Sequence, residues 1–301
     1  MPDEPESRNG LNTPDEELEC ALLLLKTVRL PTGEEVPAFG LGTWHMGDDT
    51  SVRSEEVATL RLGLDAGASL IDTAEMYGDG RAEELVGEAI AGRRDEVFVV
   101  SKVLPQNASR QGTIAACQRS LRRLKTDRID LYLLHWRGSV PLAETIDAFT
   151  DLQQSGEIRA FGVSNLDLAE MDELWRVPGG SRVATNQLLY NLSRRNIEWD
   201  LLPWLRERRI PVMAYSPIEQ ARLLENTNLL NLAASWGMTP AQVALAWLLE
   251  NEDTIVIPKT SRRERLKENL GALEHHLTKR HLAELDQIFP PPRRPKSLEM
   301  L

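Results

Sequence analysis

From residue 39 onward, short apolar runs alternate with longer stretches of helical spacing, and the pattern repeats eight times. No other feature limits the fold as tightly. A continuous apolar run of a few residues reads as a strand buried on both faces, and apolar positions at i, i+3 and i+4 read as a helix. Strands are expected at 39–43, 68–72, 97–102, 129–135, 158–164, 184–187, 211–215 and 254–257. Helices are expected between them at 54–66 (capped by Ser51 or Ser54), 81–91, 109–124, 142–155, 166–175 and 200–208. Two more, 223–236 and 240–250, precede the last strand, and 262–273 and 279–288 follow it. Strict alternation implies parallel strands joined by crossover helices. Eight such units close into an α/β (β/α)8 TIM barrel without a free sheet edge. The rival is an open doubly wound sheet, which carries Gly-x-Gly-x-x-Gly after its first strand. Here Gly40-Leu41-Gly42 runs into Thr43-Trp44, with no third glycine at that spacing.

Ahead of the repeat, residues 26–30 alternate, Pro31-Thr32-Gly33-Glu34 turns, and 36–39 resume, as in a β-hairpin that caps one end of the barrel. The chain has 301 residues. Barrels of roughly 250 residues are single domains, so 23–301 are expected as one barrel domain with an extra C-terminal helix. Residues 1–22 are expected as a disordered tail, rich in Pro, Asp and Glu as far as Glu19. The apolar run 20–25 either packs on the body or forms a marginal helix. The net charge of −11 speaks against nucleic acid, yet leaves room for a local basic pocket. Cys20 and Cys117 belong to no Cys-x-x-Cys pair, so neither a zinc site nor a disulfide framework is implied. No apolar run approaches the roughly 18 residues of a membrane span, and the acidic N-terminus is unlike a signal peptide. A cytoplasmic protein with no membrane contact is the expectation.

Three successive strands end in polar, ionisable residues. Asp72 closes the second, with Tyr77 on the loop behind it; Lys102 closes the third and His135 the fourth. Strand C-termini of a barrel converge on one face, so these four are expected to be neighbours. Singly, each is more often a solvated or packing residue; shared position is what argues for chemistry. A nearby ammonium favours a phenolate and lowers a tyrosine pKa from its reference of about 10. An aspartate holds the lysine charged, and a histidine beside the phenol orients a substrate oxygen. Together they form a proton donor aimed at an oxygen gaining negative charge, which suits a carbonyl becoming an alcohol. One His, one Asp and one Lys are not a zinc set. A hydrolase built on Asp72 and Glu75 is the weaker alternative, because those carboxylates lie too close in sequence to flank a sugar.

The stretch Ile71-Asp72-Thr73-Ala74-Glu75-Met76-Tyr77-Gly78 closely resembles the signature of the aldo-keto reductases. So do Ser101-Lys102-Val103, Leu133-Leu134-His135-Trp136, Gly162-Val163-Ser164-Asn165, Asn186-Gln187 and Ile257-Pro258-Lys259-Thr260. The likeness spans residues 26–288 in register, and it is greatest to small bacterial members. It implies a (β/α)8 barrel with an N-terminal hairpin, and hydride transfer from NADPH to small aldehydes, ketones or dicarbonyls. Tyr77 is implied as general acid, Lys102 as the group that lowers its pKa, Asp72 as the partner of Lys102, and His135 as the residue that orients the carbonyl. On the cofactor side, the resemblance implies Ser164, Asn165 and Gln187 on the nicotinamide carboxamide and Tyr215 stacked on the ring. It also implies Ser216 and Pro217 in a loop over the pyrophosphate, Lys259, Thr260 and Arg265 at the 2′-phosphate, and Glu268 and Asn269 at the adenine. Lys259 and Arg265 supply the charge that favours NADP(H) over NAD(H). Trp44, His45, Met46, Trp136 and Tyr190 are expected around an apolar substrate mouth. The proline-rich 290–294 segment suggests a short C-terminus and an open pocket, and a monomer is expected. One alternative within the family is a nicotinamide-binding regulatory subunit without turnover. One departure stands out: relatives often carry a neutral residue near Glu219 and a glycine near Ala221. Glu219 would repel a pyrophosphate, unless it points to solvent or pairs with Arg222.

Overall fold

Every expected apolar run forms a strand in the computed structural model, which describes residues 26–301. The expected tail and the apolar run 20–25 lie outside the described residues. The hairpin is β1 (Thr27–Arg29) and β2 (Glu35–Pro37), paired antiparallel with Val28 opposite Val36. The barrel strands follow as β3 (Gly40–Gly42), β4 (Leu70–Asp72), β5 (Phe98–Val103), β6 (Ile129–Leu134), β7 (Ile158–Ser164), β8 (Asn186–Leu189), β9 (Val212–Tyr215) and β10 (Thr254–Val256). They pair in sequence order, each parallel to the next. The sheet closes through parallel bridges from Phe39 to Val256 and from Gly42 to Lys259. Closure requires Gly42: a Cβ there would lie 2.8 Å from the Ile257 carbonyl oxygen.

Helices α1 (Arg53–Asp65), α2 (Arg81–Ala89), α3 (Arg110–Leu124), α4 (Leu142–Gln154), α5 (Leu168–Arg176) and α6 (Leu201–Glu207) cover the outside. So do α7 (Thr227–Ser235), α8 (Pro240–Leu249), α9 (Arg263–Leu270) and the additional α10 (Lys279–Ile288). Their starts follow capping chemistry. Ser109 accepts from the Gly112 N–H ahead of α3, and Asp167 with Glu170 forms a capping box on α5. The first helix corrects the sequence reading, because neither Ser51 nor Ser54 caps it. Asp49 caps a one-turn 3-10 segment at Thr50–Val52 that runs directly into α1.

The hairpin buries Val28, Leu30 and Val36 against the barrel, and Lys26 donates to the Leu249 carbonyl at 2.6 Å. Leu249 ends α8, just before β10 begins, so the hairpin seals the N-terminal end of the strands and the opposite end stays open. Aromatic rings fill the layer between sheet and helices, with Phe149 of α4 stacked 5.3 Å from Phe161 and edge-on to Tyr132 at 5.8 Å. Among the described residues, no helix is long and apolar enough to cross a membrane, and no cluster of three His, Cys, Asp or Glu side chains could hold a metal ion.

Candidate active site

A cavity of about 550 Å³ opens at the C-terminal ends of the strands. Asp72, Tyr77 and His135 reach its wall, and Lys102 lies directly behind them, fully buried. The Lys102 Nζ donates to Asp72 Oδ1 at 2.7 Å, to the Thr73 carbonyl at 2.9 Å and to the Tyr77 hydroxyl at 3.1 Å. All three donor positions of the ammonium are therefore filled. Asp72 is held from two further sides. Its Oδ2 accepts from Gln187 at 2.8 Å, and its carbonyl accepts from Thr43 at 2.9 Å. The Tyr77 ring meets His135 edge-on with centroids 5.8 Å apart.

Burial works against the charge on Lys102, but the Asp72 carboxylate and the Tyr77 oxygen outweigh it and keep the pKa above the ordinary lysine value. Tyr77 feels the expected downward pull of Lys102, but its net shift runs the other way. Burial pushes its phenol up, Lys102 pulls it back, and Asp72 adds to the rise, so the net direction is upward. Lys102 lowers the phenol only relative to one buried without an ammonium, and the hydroxyl keeps its proton. His135 is neutral: burial first, then the Lys102 charge, lower its pKa to about 2. Its Nδ1 is buried without a hydrogen bond among the described residues.

The nearby polar residues of strands seven to nine are knitted together. Ser164 Oγ donates to the Gln187 carbonyl at 2.9 Å, and Asn165 Nδ2 donates to the His135 carbonyl at 3.2 Å. The Tyr215 hydroxyl donates to Asn165 Oδ1 at 3.0 Å, and burial pushes its pKa up to about 12. Asn165 sits at φ 57°, a left-handed conformation that Asn tolerates better than most residues. All four line the cavity, and Ser216, Pro217 and Ile218 continue the wall.

A second cationic group marks the far end. Lys259 and Arg265 line the cavity, and neither has a carboxylate partner within ion-pair distance among the described residues. Burial depresses the Lys259 pKa. Helix α9 starts here at Arg263, and its N-cap residue Arg262 offers no side-chain cap, so the first backbone N–H groups stay available. Two half-buried or exposed cations beside an uncapped helix start fit a phosphate. Ser164, Asn165 and Gln187 fit an amide at the other end. The residues present therefore suit a phosphorylated dinucleotide.

Some expected positions fall elsewhere. Thr260 turns to accept the Arg262 N–H at 3.1 Å, while Glu268 and the buried Asn269 do not reach the cavity wall. Trp44, His45 and Trp136 do line the mouth, with His45 hydrogen-bonded to Asp48 at 2.9 Å. Met46 and Tyr190 are core residues; the Tyr190 hydroxyl meets Glu198 at 2.9 Å and its ring packs on Trp247. Glu75 points away from the cavity, accepting from the Leu104 N–H at 2.8 Å and from Asn107 at 2.9 Å. A hydrolase on Asp72 and Glu75 thus lacks its second carboxylate. Glu219 faces neither solvent nor the cavity. It is buried against Arg194 at 2.7 Å and Asn191 at 2.8 Å, with Arg222 farther away at 3.4 Å. The chain beyond the proline run folds back, so that Met300 and Leu301 line the cavity. The open mouth expected from a short C-terminus is therefore partly covered. Gln220, Met300 and Arg194 are not marked in the sequence, because no spacing rule links them to the strand ends; Thr43 does end the first expected strand, but a hydroxyl there carries no charge to single it out.

The aldo/keto reductase family model matches residues 38–289. Methylglyoxal reductase YeaE of Escherichia coli (strain K12) is 49% identical over 281 residues, covering 92% of this chain and 99% of that protein. Methylglyoxal reductase DkgB of Salmonella typhimurium (strain LT2) is 32% identical over 260 residues, covering 83% and 93%. A crystal structure of an aldo/keto reductase from Klebsiella pneumoniae in complex with NADP and acetate superposes with a TM-score of 0.90 at 49% identity, covering 92% of this chain and all of that one.

Proposed function

The chain belongs to the aldo/keto reductase family and is an NADP-dependent oxidoreductase, and on that premise we propose that it reduces small dicarbonyls and aldehydes, 2-oxoaldehydes such as methylglyoxal first among them, with Tyr77 as the proton donor. The observation that carries this reading is the filled hydrogen-bond set of Lys102, which fixes the Tyr77 hydroxyl 3.1 Å from a buried ammonium at the cavity wall. When bound, the reduced nicotinamide supplies the hydride. The carbonyl oxygen of the substrate becomes an alkoxide as it is reduced, and Tyr77 delivers a proton to it. The phenolate left on Tyr77 is stabilised by Lys102 at contact distance, and the Asp72 carboxylate keeps that lysine charged. A neutral His135 offers one ring N–H to the carbonyl oxygen without adding a second positive charge beside Lys102. Ser164, Asn165 and Gln187 would hold the carboxamide, and Lys259, Arg265 and the start of α9 would hold the phosphate.

Substrate size is read from the walls. Trp44, Met76, Trp136 and Met300 make an apolar mouth with few polar fixtures beyond the catalytic set, which admits a small, weakly directed carbonyl. The names of the two methylglyoxal reductases support the 2-oxoaldehyde choice. The test is NADPH binding by quenching of tryptophan fluorescence, followed by loss of nicotinamide absorbance on adding methylglyoxal, glyoxal and simple aldehydes. Tyr77→Phe is expected to lower turnover by about 10³-fold with NADPH affinity within about twofold of wild type, the scale of a lost general acid. Unchanged turnover in that variant would sink the assignment. NADPH binding without oxidation by any carbonyl would favour a regulatory subunit.

A further inference from the structure

Two segments line the cavity beyond the strand ends: 216–222 after β9, through Ser216, Pro217, Ile218, Gln220 and Ala221, and 296–301, through Met300 and Leu301. The first is bent in an unusual way. Ser216, Glu219, Gln220 and Ala221 have φ of 48°, 51°, 51° and 70°, the left-handed region that L-residues other than Gly, Asn and Asp avoid. Such a run persists only where its surroundings hold it. The holding group is Arg194. Its Nε and Nη2 donate to Glu219 Oε1 at 2.9 and 2.7 Å, and its Nη1 donates to Glu299 Oε1 at 2.8 Å. Asn191 fills the other oxygen of Glu219 at 2.8 Å and also binds the Ser216 carbonyl at 2.9 Å. Asn196 fills the other oxygen of Glu299 at 2.8 Å. Asn191, Arg194 and Asn196 lie together after β8, outside the cavity wall. One guanidinium thus grips both segments, each through a carboxylate whose second oxygen is also occupied.

We propose that Arg194 is a positioning residue that makes the 216–222 and 296–301 segments open and close as one unit. The first segment carries Pro217, Ile218, Gln220 and Ala221 to the cavity, and the second carries Met300. The inference rests on the reading of this cavity as the NADPH and carbonyl site: the first segment then retains the cofactor and the second walls the substrate. A planar fork suits the role, because it serves two carboxylates at once, whereas a lysine ammonium would serve them without fixed geometry. Gln220 and Ala221, held in a left-handed bend, relax to other conformations once Glu219 is released. Cofactor release and substrate fit are therefore linked through a residue that touches neither ligand.

Glu299 supplies the cleanest test, because its side-chain hydrogen bonds among the described residues go to Arg194 and Asn196 and none goes to the 216–222 segment. In Glu299→Gln, NADPH release measured by stopped flow should quicken about threefold and the methylglyoxal KM should rise by a similar factor, with kcat within about twofold, as for partial loss of a charged hydrogen bond. In Arg194→Met both effects should reach about tenfold, and adding Glu299→Gln to that variant should change nothing further. In the protein without cofactor, amide exchange at 216–222 should accelerate in Glu299→Gln as well as in Arg194→Met. Glu299→Gln that raises KM while leaving both NADPH release and exchange at 216–222 at wild-type rates would overturn the coupling. Failure of the wild type to bind NADPH would instead strike the cavity's assignment, and the exchange measurement would still decide the coupling. Should Arg194→Met not fold, Glu299→Gln with its partly exposed side chain carries the test alone.

Discussion

The two halves of the cavity wall are built on different principles. On one side, Asp72, Lys102 and His135 sit on or beside strand ends, and every polar contact of Lys102 is to a neighbouring strand or its loop. On the other side, the wall is loop, and its shape depends on ion pairs between segments distant in sequence. The first half is fixed by the barrel's own pairing register, which places Lys102 opposite Leu133 and Asp72 opposite Val100. The second half has only local backbone turns of its own and is tied to the rest of the molecule by side chains. Under the proposed function, chemistry that needs atoms held to within fractions of an ångström would lie on the strand side, and ligand exchange on the side held by side chains.

The largest effect expected on the strand side is that of Lys102→Met. It leaves Asp72 buried without its cation and should lower folding stability by about 3–5 kcal/mol, as for one partner removed from a buried pair. Denaturant unfolding would show it, with turnover lost besides. A change below about 1 kcal/mol would mean the strand half is not as tightly determined as its contacts imply. Next comes Lys259→Ala with Arg265→Ala, at the proposed phosphate end of the cavity. NADPH affinity should fall about 100-fold and NADH affinity only a few-fold, since two charged hydrogen bonds to one phosphate are removed. Equal losses for both nucleotides would detach these cations from the 2′-phosphate.

The smallest effect is in pH, and it separates the halves. His135 is neutral in the fold, with a pKa of about 2 against an ordinary value near 6.5. Between those values the unfolded chain binds a proton that the folded one does not, so stability falls as pH drops below about 6.5, by at most about 1.4 kcal/mol per unit. Glu219 is shifted the other way relative to its charge. Burial raises its pKa, but the Arg194 and Asn191 hydrogen bonds outweigh it and hold the carboxyl below its ordinary value. Its contribution is therefore intact above the ordinary carboxylate range and is lost only as pH falls through the depressed value. Thermal melts of wild type and His135→Gln should diverge between pH 6.5 and 5, while Glu219→Gln keeps a constant offset there. Parallel curves for His135→Gln would place the proton-sensitive group elsewhere.

The same division explains what could be read from the amino-acid order. Asp72, Lys102 and His135 were legible because each ends an apolar run, and parallel strands carry such ends to one rim. The barrel followed from the same alternation. Arg194 was not legible: it lies 25 residues from Glu219 and 105 from Glu299, and nothing in local spacing joins them. Tyr190 and Met46 were misplaced in the mouth because an aromatic or methionine near a strand end looks alike whether it turns in or out. The direction of the Tyr77 shift depended on how deeply the phenol is buried, and residue type alone does not carry that quantity. Ser51 and Ser54 lost the cap to Asp49 because a preceding 3-10 turn moved the first free N–H groups upstream.

The bridges that close the barrel join residues 39–42 to 256–259, roughly 200 positions apart in the chain. During synthesis the first strand emerges from the ribosome long before its second neighbour exists, and for that interval its outer edge has nothing to pair with. The cavity shares that timing, because Lys259 and the start of α9 come from the closing strand and its successor. A nascent chain therefore holds Asp72, Lys102 and His135 well before it holds the proposed dinucleotide site, and on that proposal a cofactor in the surrounding solution would act on the last step of assembly rather than on the first.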